Sequence, residues 1–531
     1  MKRLFFACVA VFAAMPLSAG SVAIAQHAAL ATASPYATQI GLDVMKRGGN
    51  AIDAAVAVEL ALAVAHPQAG NLGGGGFLVY YEATTRSVWT LDFREVAPAA
   101  AKPEMFAGGK SSRDGALAAG VPGTVAGLAA MHKRFGKTSW KDLVAPAIRL
   151  AEEGVRLSAD QQVDIARAKK ERGIAFVVDS ESTFVQKALA ATLQRLAEKG
   201  ANDFYDGEIA ARIVDGSRAA GGILALRDLR DYKPVWRAPI RVTFRQFDVY
   251  TLPPPSAAGL MIGEELNILS GFDLQAAGYQ TARSVHLIAE AARRAAMDRD
   301  RHLGDPTTLR MPYRDLLSPE RANQWRVSID PARATPTISL TEPASTVAQG
   351  MHTTHFSIID QAGNVAAVTT SLGDDFGSGF VVPQGGFLLN NAMHDFATAA
   401  RSPNALAGGR RMATSVAPTI VLRRGQPFLV LGTSGGPAIP NIVLQTFLAV
   451  ALYGKTLPQA VSAGRCDQQA TPEDMNCEYT KTPADLISRL RAMGHGVREG
   501  EAFGDIQALM IEMQRITAVS DPRHGGAAGG F

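Results

Sequence analysis

The sequence predicts an α+β fold around one large core, and three observations carry that prediction. Helical spacing fills much of the chain ahead of residue 331, β-rich hairpins stand at 77–93, 355–372 and 419–431, and no linker separates them. Across 531 residues there is no charge run, Pro/Ser-rich spacer or low-complexity stretch. With 47% hydrophobic and 19% charged residues the chain has ample apolar surface to bury, which excludes disordered and fibrous classes. The formal net charge is +4 with scattered basic residues, so no cationic face for nucleic acid is expected.

The elements follow in order. Ala37, Ile40, Val44 and Met45 recur at helical spacing, Gly48-Gly49 stops the pattern, and residues 51–64 form an Ala-rich second helix. Asn71-Leu72 and four glycines then lead into strands at 77–81 and 88–93. These glycines do not read as a phosphate loop, because they lack G-x-G-x-x-G or G-K-S/T spacing and enter a strand rather than a helix. From 120 to 329, helical stretches such as 124–135 and 285–303 alternate with short loops, including Pro253-Pro254-Pro255, and predict a helical layer. After a polar stretch at 331–350 the texture turns to strands at 355–360 and 365–372, then 419–422 and 428–431. A helix-rich first part thus meets a strand-rich second part at Thr353.

Lys2 and Arg3 precede an apolar run at 4–17 and the small residues Ala23-Ile24-Ala25, the pattern of a secretory leader over residues 1–25. The run is shorter than the roughly 20 residues of a membrane span. A periplasmic or secreted protein is expected, with no membrane association after leader removal. Cys8 falls in the leader, so Cys466 and Cys477 are the only thiols of the mature chain and can pair in an oxidising compartment. Two cysteines alone do not complete a tetrahedral zinc site, and no metal or cofactor is expected.

Thr353-Thr354-His355 is an ordinary strand start when taken alone, and His352 with His355 lacks the carboxylates of a metal site. Its company changes the reading. Ordered along the chain stand Gly48-Gly49-Asn50-Ala51-Ile52-Asp53-Ala54-Ala55, His66-Pro67-Gln68-Ala69-Gly70-Asn71 with the glycine run to Phe77, Asp92-Phe93-Arg94-Glu95, Pro253-Pro254-Pro255-Ser256 and Leu303-Gly304-Asp305-Pro306. After the Thr353 triplet come Leu389-Asn390-Asn391, Gly432-Thr433-Ser434-Gly435-Gly436 and Ser520-Asp521-Pro522-Arg523. With these motifs the chain resembles the γ-glutamyltransferase (glutathione hydrolase) family of N-terminal nucleophile hydrolases over nearly its whole mature length.

The resemblance implies a four-layer αββα sandwich formed jointly by two subunits of one inactive precursor, a large one at 26–352 and a small catalytic one at 353–531. It implies cleavage between His352 and Thr353, after which the Thr353 hydroxyl is the nucleophile and its own α-amine, with a pKa near neutrality, the base. Gly435 and Gly436 match the oxyanion donors. Ser371 stands where the family has a hydroxyl, more usually threonine, that bonds the nucleophile. Arg94 matches the arginine that grips the substrate carboxylate, Thr414 and Ser415 the adjoining hydroxyls, and Asp395 the ammonium acceptor. Implied partners are γ-glutamyl compounds such as glutathione, with water or amino acid and peptide acceptors.

The match is incomplete. Gly373 replaces an asparagine and Ala392 a glutamine or glutamate that help hold the ammonium, with Asp374 and Asp375 as neighbouring carboxylates. Residues 397–411 are too few for the lid that some members carry. These departures motivate an alternative reading as an amide acylase with an open site, of the glutaryl-cephalosporin or polyglutamate-processing kind; a third is a binding protein on an inactive scaffold. Thr353→Ala is expected to give one uncut, inactive chain on a denaturing gel, because cleavage and turnover share that hydroxyl; efficient cleavage of this variant would contradict the mechanism.

Overall fold

The computed structural model describes residues 20–174, 183–340, 352–513 and 515–531. Most of the expected leader, part of the polar stretch before Thr353 and the side chain of His352 lie outside the described residues. Two seven-stranded sheets form the centre. The first runs in the order Ser21–Ala25, Arg515–Ser520, Gln507–Glu512, Gln426–Gly432, Thr419–Arg423, Phe247–Thr251, Ile240–Phe244. The second runs Ala527–Gly530, Ala29–Thr32, His352–Ile359, Val365–Gly373, Gly75–Glu82, Ser87–Phe93, Val235–Arg237. Neighbours in both are antiparallel.

Alternation along the strands decides what packs where, since successive side chains point to opposite faces. In Gly75–Glu82, Phe77, Val79 and Tyr81 enter the core between the sheets with Val421, Leu429 and Leu431. Leu78 and Tyr80 turn the other way, onto Ile52, Val56 and Leu60. Helices Pro35–Lys46, Ala51–Ala65 and Thr124–Phe135 cover that outer face of the second sheet. Ala258–Leu269 and Ile439–Ala451 cover the first sheet, with Ala282–His302 packed behind. This is the expected four-layer αββα sandwich. Among the described residues no helix is long and apolar enough to cross a membrane.

Two expectations change. The stretch 120–329 is not purely a helical layer: it holds Val235–Arg237 and the hairpin Ile240–Phe244 with Phe247–Thr251, which close one edge of each sheet. The hairpin carries strand alternation, but its turn places Arg245 at φ 55° without the glycine or asparagine that marks such turns in sequence. Nor does the texture change at Thr353 divide space, because strands from both sides of it interleave in both sheets. Within the expected leader, Ser21–Ala25 pairs residue for residue with the strand Arg515–Ser520.

The motif at residues 48–55 proves to be scaffold. Asn50 caps the helix Ala51–Ala65 by accepting from the Ile52 and Asp53 amides. Asp53, fully buried, accepts from the amides of Asn50, Lys137 and Thr138 and ties the helix start to the end of Thr124–Phe135. Asp53→Ala should therefore cost about 2–4 kcal/mol by orphaning buried donors, measured by denaturant unfolding; a cost within error of zero would contradict this.

Candidate active site

Thr353 lies second on the strand His352–Ile359, near the middle of the second sheet. Period-two alternation sends Thr353, His355 and Ser357 toward the first sheet, while Phe356 and Ile358 join the helices. Pairing with Val365–Gly373 shifts register between His352, opposite Gly373, and Thr353, opposite Ser371, so Leu372 has no partner and the bond expected to break sits at a bulge. Thr353 Oγ1 donates to Ser371 Oγ across 3.3 Å, and Ser371 Oγ also accepts the Gly373 amide at 2.8 Å. His355 is a core residue: its ring nitrogens meet Thr369 Oγ1 at 2.8 Å and Ser357 Oγ at 3.0 Å, and burial pushes its pKa down to about 3. It is neutral and takes no part as a base or metal ligand.

The facing wall comes from the first sheet. Gln426–Gly432 ends in a loop whose Gly435 and Gly436 adopt φ of 126° and 55°, the first a conformation that ordinary side chains rarely take. A short 3₁₀ turn, Gly436–Ala438, then feeds the helix Ile439–Ala451, whose positive end faces the cavity through Ile439. Gly436 shares with Thr353 and Ser371 the lining of one small cavity.

Arg94, Asp395, Thr414 and Ser415 line the same cavity. Arg94 is 2% exposed at the end of Ser87–Phe93; its Nη1 contacts Glu95 at 2.9 Å and its Nη2 pairs with Asp395. Burial works against its charge, but Glu95 and Asp395 outweigh it and hold its pKa above the usual arginine value. Burial also raises Glu95, partly offset by Arg94. Three buried polar atoms here have no protein partner, Arg94 Nε, Glu95 Oε1 and Ser415 Oγ. A carboxylate is the ligand that such an arginine and hydroxyls satisfy.

The ammonium side is poorer. Gly373 has φ 98°, and a Cβ there would lie 2.0 Å from Asn391 Oδ1, so the family's asparagine has no room. Asn391 occupies that corner, accepting from the Asp374 amide and donating to its Oδ2, both at 3.0 Å. Arg113 Nε binds the same carboxylate at 2.5 Å, so Asp374 is turned aside, and neither it nor Asp375 lines the cavity. Ala392 is buried and supplies no polar group.

Several motifs hold this site from outside. Gly74 is required because a Cβ would lie 2.1 Å from the Ser371 carbonyl. Asn390 bridges the Gly73 and Gly120 carbonyls and accepts the Ala392 amide, which fixes the turn that carries Asp395. Ala257 and Pro255 bond the Thr414 backbone. Residues 397–411 form a short looped segment rather than a lid, pinned by Thr308 to the Pro403 carbonyl and by Asp305 to the Arg411 amide. Glu95, quoted in its motif, shares Arg94. Two residues carry weight that no motif announced: Asn404 Nδ2 donates to the Asp395 carbonyl at 2.7 Å, and Glu59 accepts from Thr370 Oγ1 of the strand beside Thr353. Burial lifts Glu59 to about 8; an acid in the middle of an apolar helix was its one sequence signal.

Elsewhere His286, Glu290 and His495 converge, but Arg294 and Arg293 already pair with Glu290, so the cluster offers no free anionic ligand. Arg94→Lys should raise KM about 10- to 100-fold with self-cleavage intact, since an ammonium cannot reproduce the fork; unchanged KM in steady-state kinetics would contradict the role.

The γ-glutamyltranspeptidase family model matches residues 37–531. The glutathione hydrolase proenzyme of Escherichia coli K12 is 36% identical, over 94% of this chain and 91% of its own length. That of Pseudomonas aeruginosa is 37% identical over 94% and 93%. Among solved structures, a cephalosporin acylase from Bacillus halodurans superposes with a TM-score of 0.87 at 27% identity, covering 100% of this chain and 99% of that one. A γ-glutamyltranspeptidase chain from Helicobacter pylori gives 0.56 at 39% identity, covering 58% and 93%. A four-layer sandwich with a buried threonine, paired glycines and a carboxylate pocket, matched by that model over most of its length, places this chain in the γ-glutamyltranspeptidase family.

Proposed function

We propose that this chain is an exported γ-glutamyltransferase and glutathione hydrolase that cuts its own His352–Thr353 bond to mature. The single observation that carries the reading is one cavity lined by Thr353 together with Arg94 and Ser415, each of the last two keeping a buried polar atom without a hydrogen-bond partner. In maturation the Thr353 hydroxyl attacks the His352 carbonyl, the peptide bond becomes an ester, and water opens it to leave a carboxyl on His352 and a free amine on Thr353. The products stay together as a heterodimer of residues up to 352 and from 353 onward, because their strands share both sheets.

In turnover the α-amine accepts the proton of the Thr353 hydroxyl as it attacks the γ-carbonyl of a substrate such as glutathione. Ser371 orients the hydroxyl, and the Gly435 and Gly436 amides take the oxyanion. Collapse expels the amine and leaves a glutamyl ester, which water or an amino acid or peptide acceptor resolves. Arg94, Thr414 and Ser415 hold the substrate carboxylate, and Asp395 its ammonium. The leader-like N-terminus and the Cys466–Cys477 disulfide support an oxidising, periplasmic or secreted location. Because Ser21–Ala25 is a sheet strand, leader removal that preserves the sheet falls before Ser21.

A second reading, an amide acylase for acyl groups without an ammonium, is favoured by Gly373 and Ala392 together with the likeness to the cephalosporin acylase. The two separate on matched anilides: γ-glutamyl release should exceed glutaryl release in kcat/KM by about tenfold or more, as a buried acceptor left unpaired rejects the analogue. Equal rates, or faster glutaryl release, would establish the acylase instead.

A further inference from the structure

Cys466 and Cys477 stand directly opposite each other on the antiparallel pair Cys466–Asp467 and Met475–Glu478, joined by a disulfide. Their neighbours Arg465 and Glu478 are buried, and both grip residue 503. Arg465 Nη1 donates to the Phe503 carbonyl at 2.6 Å, and Glu478 Oε1 accepts the Phe503 amide at 3.2 Å. Buried ion pairs lock this grip: Arg465 Nη2 to Asp521 at 2.5 Å, Arg523 Nη2 to Glu478 at 2.6 Å and Arg523 Nη1 to Asp521 at 3.0 Å. Asp521 Oδ2 also accepts the Ile506 amide at 3.1 Å.

Residues 503–506 are thus a strap tied at both ends, and they lie against the oxyanion loop. The Asp505 amide donates to Thr433 Oγ1 at 2.9 Å, and Thr433 Oγ1 donates to the Ser434 carbonyl at 2.7 Å. Gly504 fits so closely that a Cβ on it would stand 3.0 Å from Thr433 Oγ1, and one on Gly435 3.5 Å from Gly504 Cα. We infer that the Cys466–Cys477 disulfide is a positioning element for the reaction: it fixes Arg465 and Glu478, which press the strap against residues 433–435 and hold the oxyanion donors in place. The inference rests on the assignment of Gly435 and Gly436 as those donors. Full activity then requires an oxidising compartment, which couples catalysis to export.

Cys466 borders an open cleft, so a dithiol can reach it. Dithiothreitol attacks Cys466 Sγ, Cys477 leaves as thiolate, and the second dithiothreitol thiol closes its ring to release Cys466, giving two protein thiols and one oxidised dithiothreitol. The test compares matured enzyme oxidised and reduced, and a Cys466→Ser/Cys477→Ser double variant. The readouts are kcat, KM, circular dichroism and affinity for an alkylboronic acid that closes on Thr353 as a tetrahedral adduct. Expected are an unchanged dichroism spectrum, KM within about twofold, and a fall in kcat and boronate affinity by a common factor of about tenfold, reversed by reoxidation. If the double variant does not mature, the reduced wild type carries the comparison alone. Unchanged kcat after complete reduction, or activity lost only in step with the dichroism signal, overturns the inference. Oxidised enzyme that fails to bind the boronate overturns instead the site assignment beneath it.

Discussion

The pairing of His352–Ile359 with Val365–Gly373 is the constraint on which the rest depends. It sets which face of the strand Thr353 occupies, and a slip of one residue would turn its hydroxyl into the apolar layer under Ala51–Ala65. In the observed register Thr353 points between the sheets, beside Ser371 of the next strand. The same register buries His355 and Ser357 along that face, where Ser357 Oγ donates to the Gln507 carbonyl of the opposite sheet. The sheets pack roughly 10 Å apart in such sandwiches, which brings the loop after Gln426–Gly432 within reach of a side chain from the facing strand. A nucleophile from one sheet and amides from the other therefore meet without a long active-site loop.

Electrostatics then shape what enters. Arg94 is buried with Glu95 and Asp395 on its fork, a cluster whose desolvation is costly unless the geometry is well satisfied. Arg94 Nε and Glu95 Oε1 remain without hydrogen-bond partners in it. Asp92 reinforces it, accepting the Arg94 amide at 2.9 Å while paired with Arg237 and Arg411. The ammonium side is built differently. Asn391 fills the corner at Gly373 and engages Asp374, which makes the turn rigid and leaves Asp395 with less company. The cavity is thus lined by a buried arginine, a carboxylate and two hydroxyl residues, while Gly373 and Ala392 add no polar side chain beside them.

Outside the cavity the C-terminal motif at residues 520–523 and the residues beside the disulfide form a second polar core. Arg465, Glu478, Asp521 and Arg523 are each buried and paired, and they lie behind the oxyanion loop rather than in it. Through these pairs the motif at residues 520–523 is tied to Arg465 and Glu478, which flank the disulfide.

Much was legible from residues alone. Periodicity located the helices at 35–46, 51–65 and 124–135 and the strands flanking Thr353, because amphipathic patterning is local and strong there. Motif order singled out Thr353, Arg94, Asp395, Thr414, Ser415 and Gly436, which the fold gathers round one cavity. The hairpin at 240–251 escaped notice because its turn lacks the usual glycine or asparagine, and Glu59 and Asn404 did so because the contacts that matter form only in the fold. Local sequence thus determined most of the elements, and the family resemblance singled out the residues that line the cavity. Only tertiary packing decided that Asn391 closes the corner at Gly373, that Asp374 faces Arg113 instead of the cavity, and that the disulfide stands behind the oxyanion loop, because each depends on which distant side chain fills a given space.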